Sequence, residues 1–124
     1  MITHKLKDNI LHIKFEGNIV YDELIELSTT FSDQIIDRKI LLLLYDLRDC
    51  VLNFSVSDYT KISSMALGST KKYKAVKAAF IVTNPRMTAM LTIFSQLSKS
   101  NHTLRKVFST EDAAILWLKQ FREY

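Results

Sequence analysis

The sequence predicts an α/β fold: a single domain with a mixed, largely parallel sheet of about five strands, an opening β-hairpin and four helices, in the order ββαβαβαβα. Three patterns lead there. Leu11, Ile13 and Phe15 alternate with His12, Lys14 and Glu16, as a half-buried strand requires. The runs Lys39 to Asp46 and Ala75 to Val82 are apolar almost throughout, the mark of strands covered on both faces. Between and after these runs, apolar residues recur at helical spacing.

Asp8-Asn9 suits a two-residue hairpin turn, because Asn tolerates left-handed backbone angles. Pairing across it sets Leu6 opposite Leu11 and His4 opposite Ile13, and Gly17 is expected to break the second strand. From Tyr21 the period becomes helical: Leu24, Leu27, Ser28, Phe31 and Ile35 share a face, and Asp22 and Glu23 favour the positive N-terminal end. A second helix is expected after the first buried strand. It is capped by Ser55 or Ser57, runs through Tyr59, Ile62 and Met65, and ends at Gly68. Asn84-Pro85 opens a third helix, with Asn as cap and Pro at the first helical position. Leu104 to Phe108 is the last strand. Ser109-Thr110-Glu111-Asp112 then caps a closing helix whose apolar stripe is Ala113, Ala114, Trp117, Leu118 and Phe121.

Composition excludes several classes. A chain of 124 residues, 48% hydrophobic and 24% charged, is long enough for one core without staples. Two glycines and one proline leave no room for a flexible linker or a glycine-rich phosphate loop, and one cysteine excludes an internal disulfide or a cysteine-based zinc site. A net charge of +4 falls short of the dense basic surface of a nucleic-acid domain, so no nucleic-acid partner is expected. The longest apolar run, Ile40 to Tyr45, is too short to span a bilayer, and the start lacks the apolar stretch of a signal peptide. A cytoplasmic location is expected.

The third helix carries the main candidate site. Met87, Met90, Leu91, Phe94 and Leu97 form an apolar stripe, with Ile93 off it, and there is no acid from Arg86 to Lys99. Methionine is flexible and polarizable, so such a helix packs a core or lines a pocket for apolar ligands. Tyr59, Ile62 and Met65 of the second helix would face it across a groove, and Lys71, Lys72 and Lys74, with Lys77 near them, would approach anionic head groups. Asp46, Arg48 and Asp49 follow the end of a buried strand, where open α/β sheets bind ligands. Arg48 neutralising the acids is the structural reading, and acid–base chemistry the alternative. Cys50 lacks the arginine that a phosphatase loop places six residues on, since Val56 stands there. His4 and His12 fall on opposite faces and His102 is remote, so no metal, cofactor or catalytic residue is expected.

Three stretches resemble the STAS/SEC14-like family, in the branch called SpoIIAA-like: Leu42-Leu43-Leu44-Tyr45-Asp46-Leu47-Arg48-Asp49; Lys77-Ala78-Ala79-Phe80-Ile81-Val82-Thr83-Asn84-Pro85; and Val107-Phe108-Ser109-Thr110-Glu111-Asp112-Ala113-Ala114 with Trp117-Leu118. With the element order, the resemblance covers nearly the whole chain and implies a STAS-like fold. In the related anti-anti-sigma factors, a serine at the start of the second helix is phosphorylated within Asp-Ser-Ser-Gly. The corresponding stretch is Phe54-Ser55-Val56-Ser57, without that aspartate or glycine, which makes Ser55 and Ser57 the candidate phosphoacceptors. The SpoIIAA-like branch is associated with carrying nonpolar molecules and touching membranes.

The resulting expectation is a non-enzymatic module binding a nonpolar small molecule or lipid, or a membrane surface, through Tyr59, Ile62, Met65, Met87, Met90, Leu91 and Phe94. The alternative is a regulatory protein-interaction module in the anti-anti-sigma style, docking a kinase-like partner near Ser55 and Ser57. A homodimer built on the apolar helix would compete with lipid contact.

Overall fold

The computed structural model describes residues 1–33, 39–98 and 100–121. Its elements follow the expected order: β1 Ile2–Lys7, β2 Ile10–Ile19, α1 Tyr21–Asp33, β3 Ile40–Leu52, α2 Tyr59–Thr70, β4 Ala75–Ile81, α3 Pro85–Leu97, β5 Thr103–Phe108 and α4 Glu111–Lys119. One sheet holds the five strands in chain order, with β1 antiparallel to β2 and every later pair parallel. Crossovers between parallel strands are right-handed as a rule. Three of them stepping the same way along the sheet place their helices on one face. Leu24 and Leu27 of α1, Ile62 and Met65 of α2, and Met87 and Leu91 of α3 accordingly pack with Leu11, Ile13, Phe15, Leu43 and Phe80. Ala114 and Leu118 of α4 cover the opposite face, on Ile10, Leu42, Leu44, Ala79 and Ile81.

The hairpin forms in the expected register, Leu6 opposite Leu11 and His4 opposite Ile13. Asp8 and Asn9 both take positive φ, 58° and 64°, as a type I′ turn demands. Asn84 caps α3 by accepting the Arg86 N–H at 2.8 Å, and the Thr110 hydroxyl accepts the Ala113 N–H at the start of α4.

Several boundaries differ from expectation. Gly17 does not break β2: at φ +76° it pairs with Cys50 inside the ladder. Just before it the register shifts, from Lys14 opposite Asp46 to Glu16 opposite Asp49, so β3 carries one extra residue in a bulge. β3 also continues to Leu52 rather than stopping at Asp46, because the long β2 supplies backbone partners after β4 has ended. α2 runs past Gly68 to Thr70, since the Ser69 and Thr70 hydroxyls bond the Ala66 carbonyl and carry the last turn. Leu97 and Ala113 were expected on apolar stripes but are exposed. The Phe31 side chain and Ile35 lie outside the described residues.

Candidate functional site

Sheet register explains where the site lies. Leu43, Ala78 and Arg105 stand side by side across β3, β4 and β5, and the next row toward the strand ends is Tyr45, Phe80 and Val107. Ala78 is the smallest of these, and it leaves space above the middle of the sheet. Helices α1, α2 and α3 span that space without filling it. The result is an apolar cavity of about 120 Å³, with Ala78 and Phe80 in its floor and Leu27, Met65 and Met90 in its roof. Aromatic rings stiffen two sides. Tyr45 stacks on Phe80 at 5.0 Å and meets Phe15 edge-on at 5.9 Å. Tyr59 meets Phe94 edge-on at 5.6 Å and Phe54 at 6.4 Å.

Most of the expected ligand residues meet here. Tyr59, Ile62 and Met65 of α2 and Met90, Leu91 and Phe94 of α3 all line the cavity. Met87 does not; it is buried one turn earlier in α3, within the core. Lys71, Lys72 and Lys74 are exposed between α2 and β4, and the Lys72 ammonium sits 5.5 Å over the Tyr73 ring. Lys77 instead belongs to β4 and reaches over the Phe121 ring.

Sequence reasoning missed two polar residues of the cavity lining, Tyr45 and Arg105. The Arg105 guanidinium lies 5.0 Å from the Phe94 ring centre and donates from Nη1 to the Ser98 carbonyl at 3.0 Å. Burial pulls the Arg105 pKa down, opposed by the nearby Tyr45 phenol. Burial pushes the phenol far above its ordinary range, and Arg105 opposes that in turn. The one signal available in the sequence was the alternation of Thr103, Arg105 and Val107 with Leu104, Lys106 and Phe108.

The second candidate region is the loop leading into α2. A 3₁₀ turn at Val56–Asp58 precedes the helix, with Ser55 as its N-terminal cap residue. Asp58 accepts from the Ser55 N–H at 3.0 Å and from the Ser55 hydroxyl at 3.2 Å. The Ser55 and Ser57 hydroxyls are 2.6 Å apart. Asp58, not Ser57, stands at the cap position of α2 itself. Both serines are exposed, and so are Val51 (64%) and Val56 (56%).

Asp46, Arg48 and Asp49 lie within β3 instead of in a loop after it. Arg48 grips Asp46 with two parallel bonds, Nε to Oδ1 at 2.9 Å and Nη2 to Oδ2 at 2.8 Å, while Lys14 reaches Asp49 at 3.0 Å. The Arg48 hydrogen bonds hold the Asp46 carboxyl below its ordinary range, so it is a paired anion rather than a proton carrier at neutral pH. Burial, followed by Asp46 and Asp49, pushes the Cys50 thiol up to about 11, which removes the thiolate a nucleophile needs. Among the described residues no three acidic, histidine or cysteine side chains gather as metal ligands, and no helix is long and apolar enough to cross a membrane.

No curated protein matches the sequence. Solved structures do match in fold. A crystal structure of an uncharacterized protein of the DUF3478 family with a SpoIIAA-like fold, from Shewanella loihica PV-4, superposes with a TM-score of 0.62 at 15% identity, covering 95% of this chain and 92% of that one. The anti-sigma factor antagonist SpoIIAA in its unphosphorylated form gives 0.58 at 12% identity, covering 98% of both chains. The Bacillus cell fate determinant SpoIIAA in its phosphorylated form gives 0.55 at 13%, covering 95% of this chain and 99% of that one. The fold is therefore SpoIIAA-like. Residues 4–122 match the family described as "Domain of unknown function (DUF7793)", a match spanning nearly the whole chain, and the protein belongs to that family.

Proposed function

We propose that this chain is a non-enzymatic regulatory module that docks a kinase-like protein partner on the loop leading into α2. The observation that carries this reading is the pairing of exposed apolar and hydroxyl groups there: Val56 stands in solvent between Ser55 and Ser57, and Val51 is exposed near the end of the strand that feeds this loop. Exposed aliphatic side chains next to polar donors suit a protein contact. The fold shared with an anti-sigma factor antagonist, one of whose structures is phosphorylated, supports the same reading. Ser57 is the better phosphoacceptor of the two. A phosphate on Ser55 would stand against the Asp58 carboxylate that its hydroxyl now bonds, whereas among the described residues the Ser57 hydroxyl bonds Ser55 and not Asp58.

The test is affinity capture from the source cell with the unaltered chain and with Val56→Asp, both checked by thermal melting. A nucleotide-binding kinase-like protein held by the former and lost with Val56→Asp supports the proposal, as does phosphate mapped to Ser57. Such a partner held equally by both proteins, or by neither, sinks it.

A second reading is favoured by the cavity. Six of the seven expected residues ring it, which supports a small nonpolar ligand as occupant. Its size argues against a lipid: about 120 Å³ is well below the roughly 300–1,000 Å³ of ordinary ligand sites. Native mass spectrometry of freshly purified protein decides. A bound mass lost on organic extraction supports this reading; a bare monomer or dimer mass removes it.

A further inference from the structure

The cavity is largely apolar, with hydroxyls of Ser28, Ser69, Thr70 and Thr103 among its lining residues, and it holds one cation. Arg105 is brought there by its place beside Ala78 in the sheet. A guanidinium carries five N–H donors in a planar fork. Among the described residues its one hydrogen-bond acceptor is the Ser98 carbonyl, its other contact is the face of Phe94, and no carboxylate pairs with it. A partly buried cation without an anion is an expensive arrangement for a core to keep. The Tyr45 hydroxyl, a second donor lining the same cavity, has no hydrogen-bond partner among the described residues either.

We infer that the cavity takes a small apolar anion, a carboxylate of about the size of benzoate, with its charged end on the Arg105 guanidinium beside the Tyr45 hydroxyl and its apolar body over Ala78 between Met65 and Met90. The fork geometry of arginine matches the two oxygens of a carboxylate, and a hydroxyl adds a donor from a second direction. Size sets the rest of the molecule. A dry, engineered cavity of about 150 Å³ binds benzene, and the present one, about 120 Å³ and lined by the half-buried Arg105, suits one ring or a short branched chain with its carboxylate at that arginine. The desolvation felt by both Tyr45 and Arg105 agrees with a site built to hold charge away from bulk water. This inference rests on the second reading above and is independent of the docking loop.

The experiment titrates the protein, carrying ¹³C-methyl methionine, with benzoate, benzamide and toluene, following Met65 and Met90 by NMR, with Met87 as a buried control that does not line the cavity. Benzoate should shift Met65 and Met90 saturably, with a Kd at least tenfold below that of benzamide. Arg105→Met should abolish that preference while toluene still binds, and Arg105→Lys should retain part of it. If Arg105→Met fails to fold, Arg105→Lys and Tyr45→Phe carry the comparison, each expected to weaken benzoate and leave toluene unchanged. Benzoate binding no tighter than benzamide, or undiminished when Arg105 is replaced, overturns the anion site. Toluene binding alone then preserves the nonpolar cavity, and no binding by any of the three removes both.

Discussion

Replacing Ala78 with valine should stabilise the protein, which is unusual for a change at a buried site. Ala78 is almost fully buried at the centre of the sheet, yet its neighbours leave about 120 Å³ unfilled above it. At roughly 24 cal/mol per Å³, a void of that size forgoes about 3 kcal/mol of packing, which is the ceiling on what filling can recover. Valine adds two carbons, worth about 1.6 kcal/mol at about 0.8 kcal/mol each, and fixing its side chain costs about 0.5 kcal/mol. β-branching suits a strand, so the backbone raises no objection. The net expectation is a gain of about 1 kcal/mol, or a rise in Tm of roughly 3–6 °C for a chain of this length. Urea and thermal unfolding followed by circular dichroism would measure it. A fall in stability would refute the reasoning, because it would mean that the space above Ala78 is already occupied by side chains in solution. The same variant should weaken benzoate, whose ring would lie where the new methyl groups stand.

Other consequences are simpler to state. Leu118→Ala removes a fully buried side chain that seats α4 on the sheet and should cost about 3 kcal/mol in urea unfolding; a loss below about 1 kcal/mol would show that α4 is not held by this contact. Asp46→Asn should cost no more than about 1 kcal/mol at neutral pH, given how exposed its partner Arg48 is. The Asp46 pKa is depressed in the fold, so the pair's contribution is present above the unfolded value near pH 4 and is lost as pH falls through the folded value. The gap between variant and parent should therefore close on acidification, and a gap that widens contradicts the pairing. Cys50 should resist a thiol reagent in the native state at pH 7 and react on unfolding, since it is buried and its thiol is pushed up to about 11. Rapid native-state labelling would show that β3 opens near its bulge.

Much of the fold was legible because periodicity and punctuation are local. Asp8-Asn9, Asn84-Pro85 and Thr110 each act within a few residues, and each does what its chemistry requires. The boundaries that shifted depend on distant partners. Nothing near Asp46 announces that β2 is long enough to draw β3 on to Leu52, and nothing near Gly17 announces the bulge that lets a left-handed glycine stay in a ladder. The site divides the same way. The apolar lining was readable from the faces of two helices, although Met87 could be told from Met90 only by the packing of α3. Arg105 and Tyr45 lie on β5 and β3, and only the order of strands brings them to one cavity. An arginine on an edge strand otherwise looks like a solvated charge.

That strand order also has a bearing on how the chain assembles. Each strand pairs with the one made just before it, so the sheet can grow by one strand at a time as residues leave the ribosome. Pairings between successive elements keep loop-closure distances short, which favours rapid folding for a largely parallel sheet. The hazard lies midway. Once β3 has joined and before β4 arrives, the run Leu41 to Leu44 is an apolar edge with unpaired backbone, open to another nascent chain. The risk passes only when β4 is laid down, and the outer edge is then β5, which carries Arg105 and Lys106 and offers a poorer template for association.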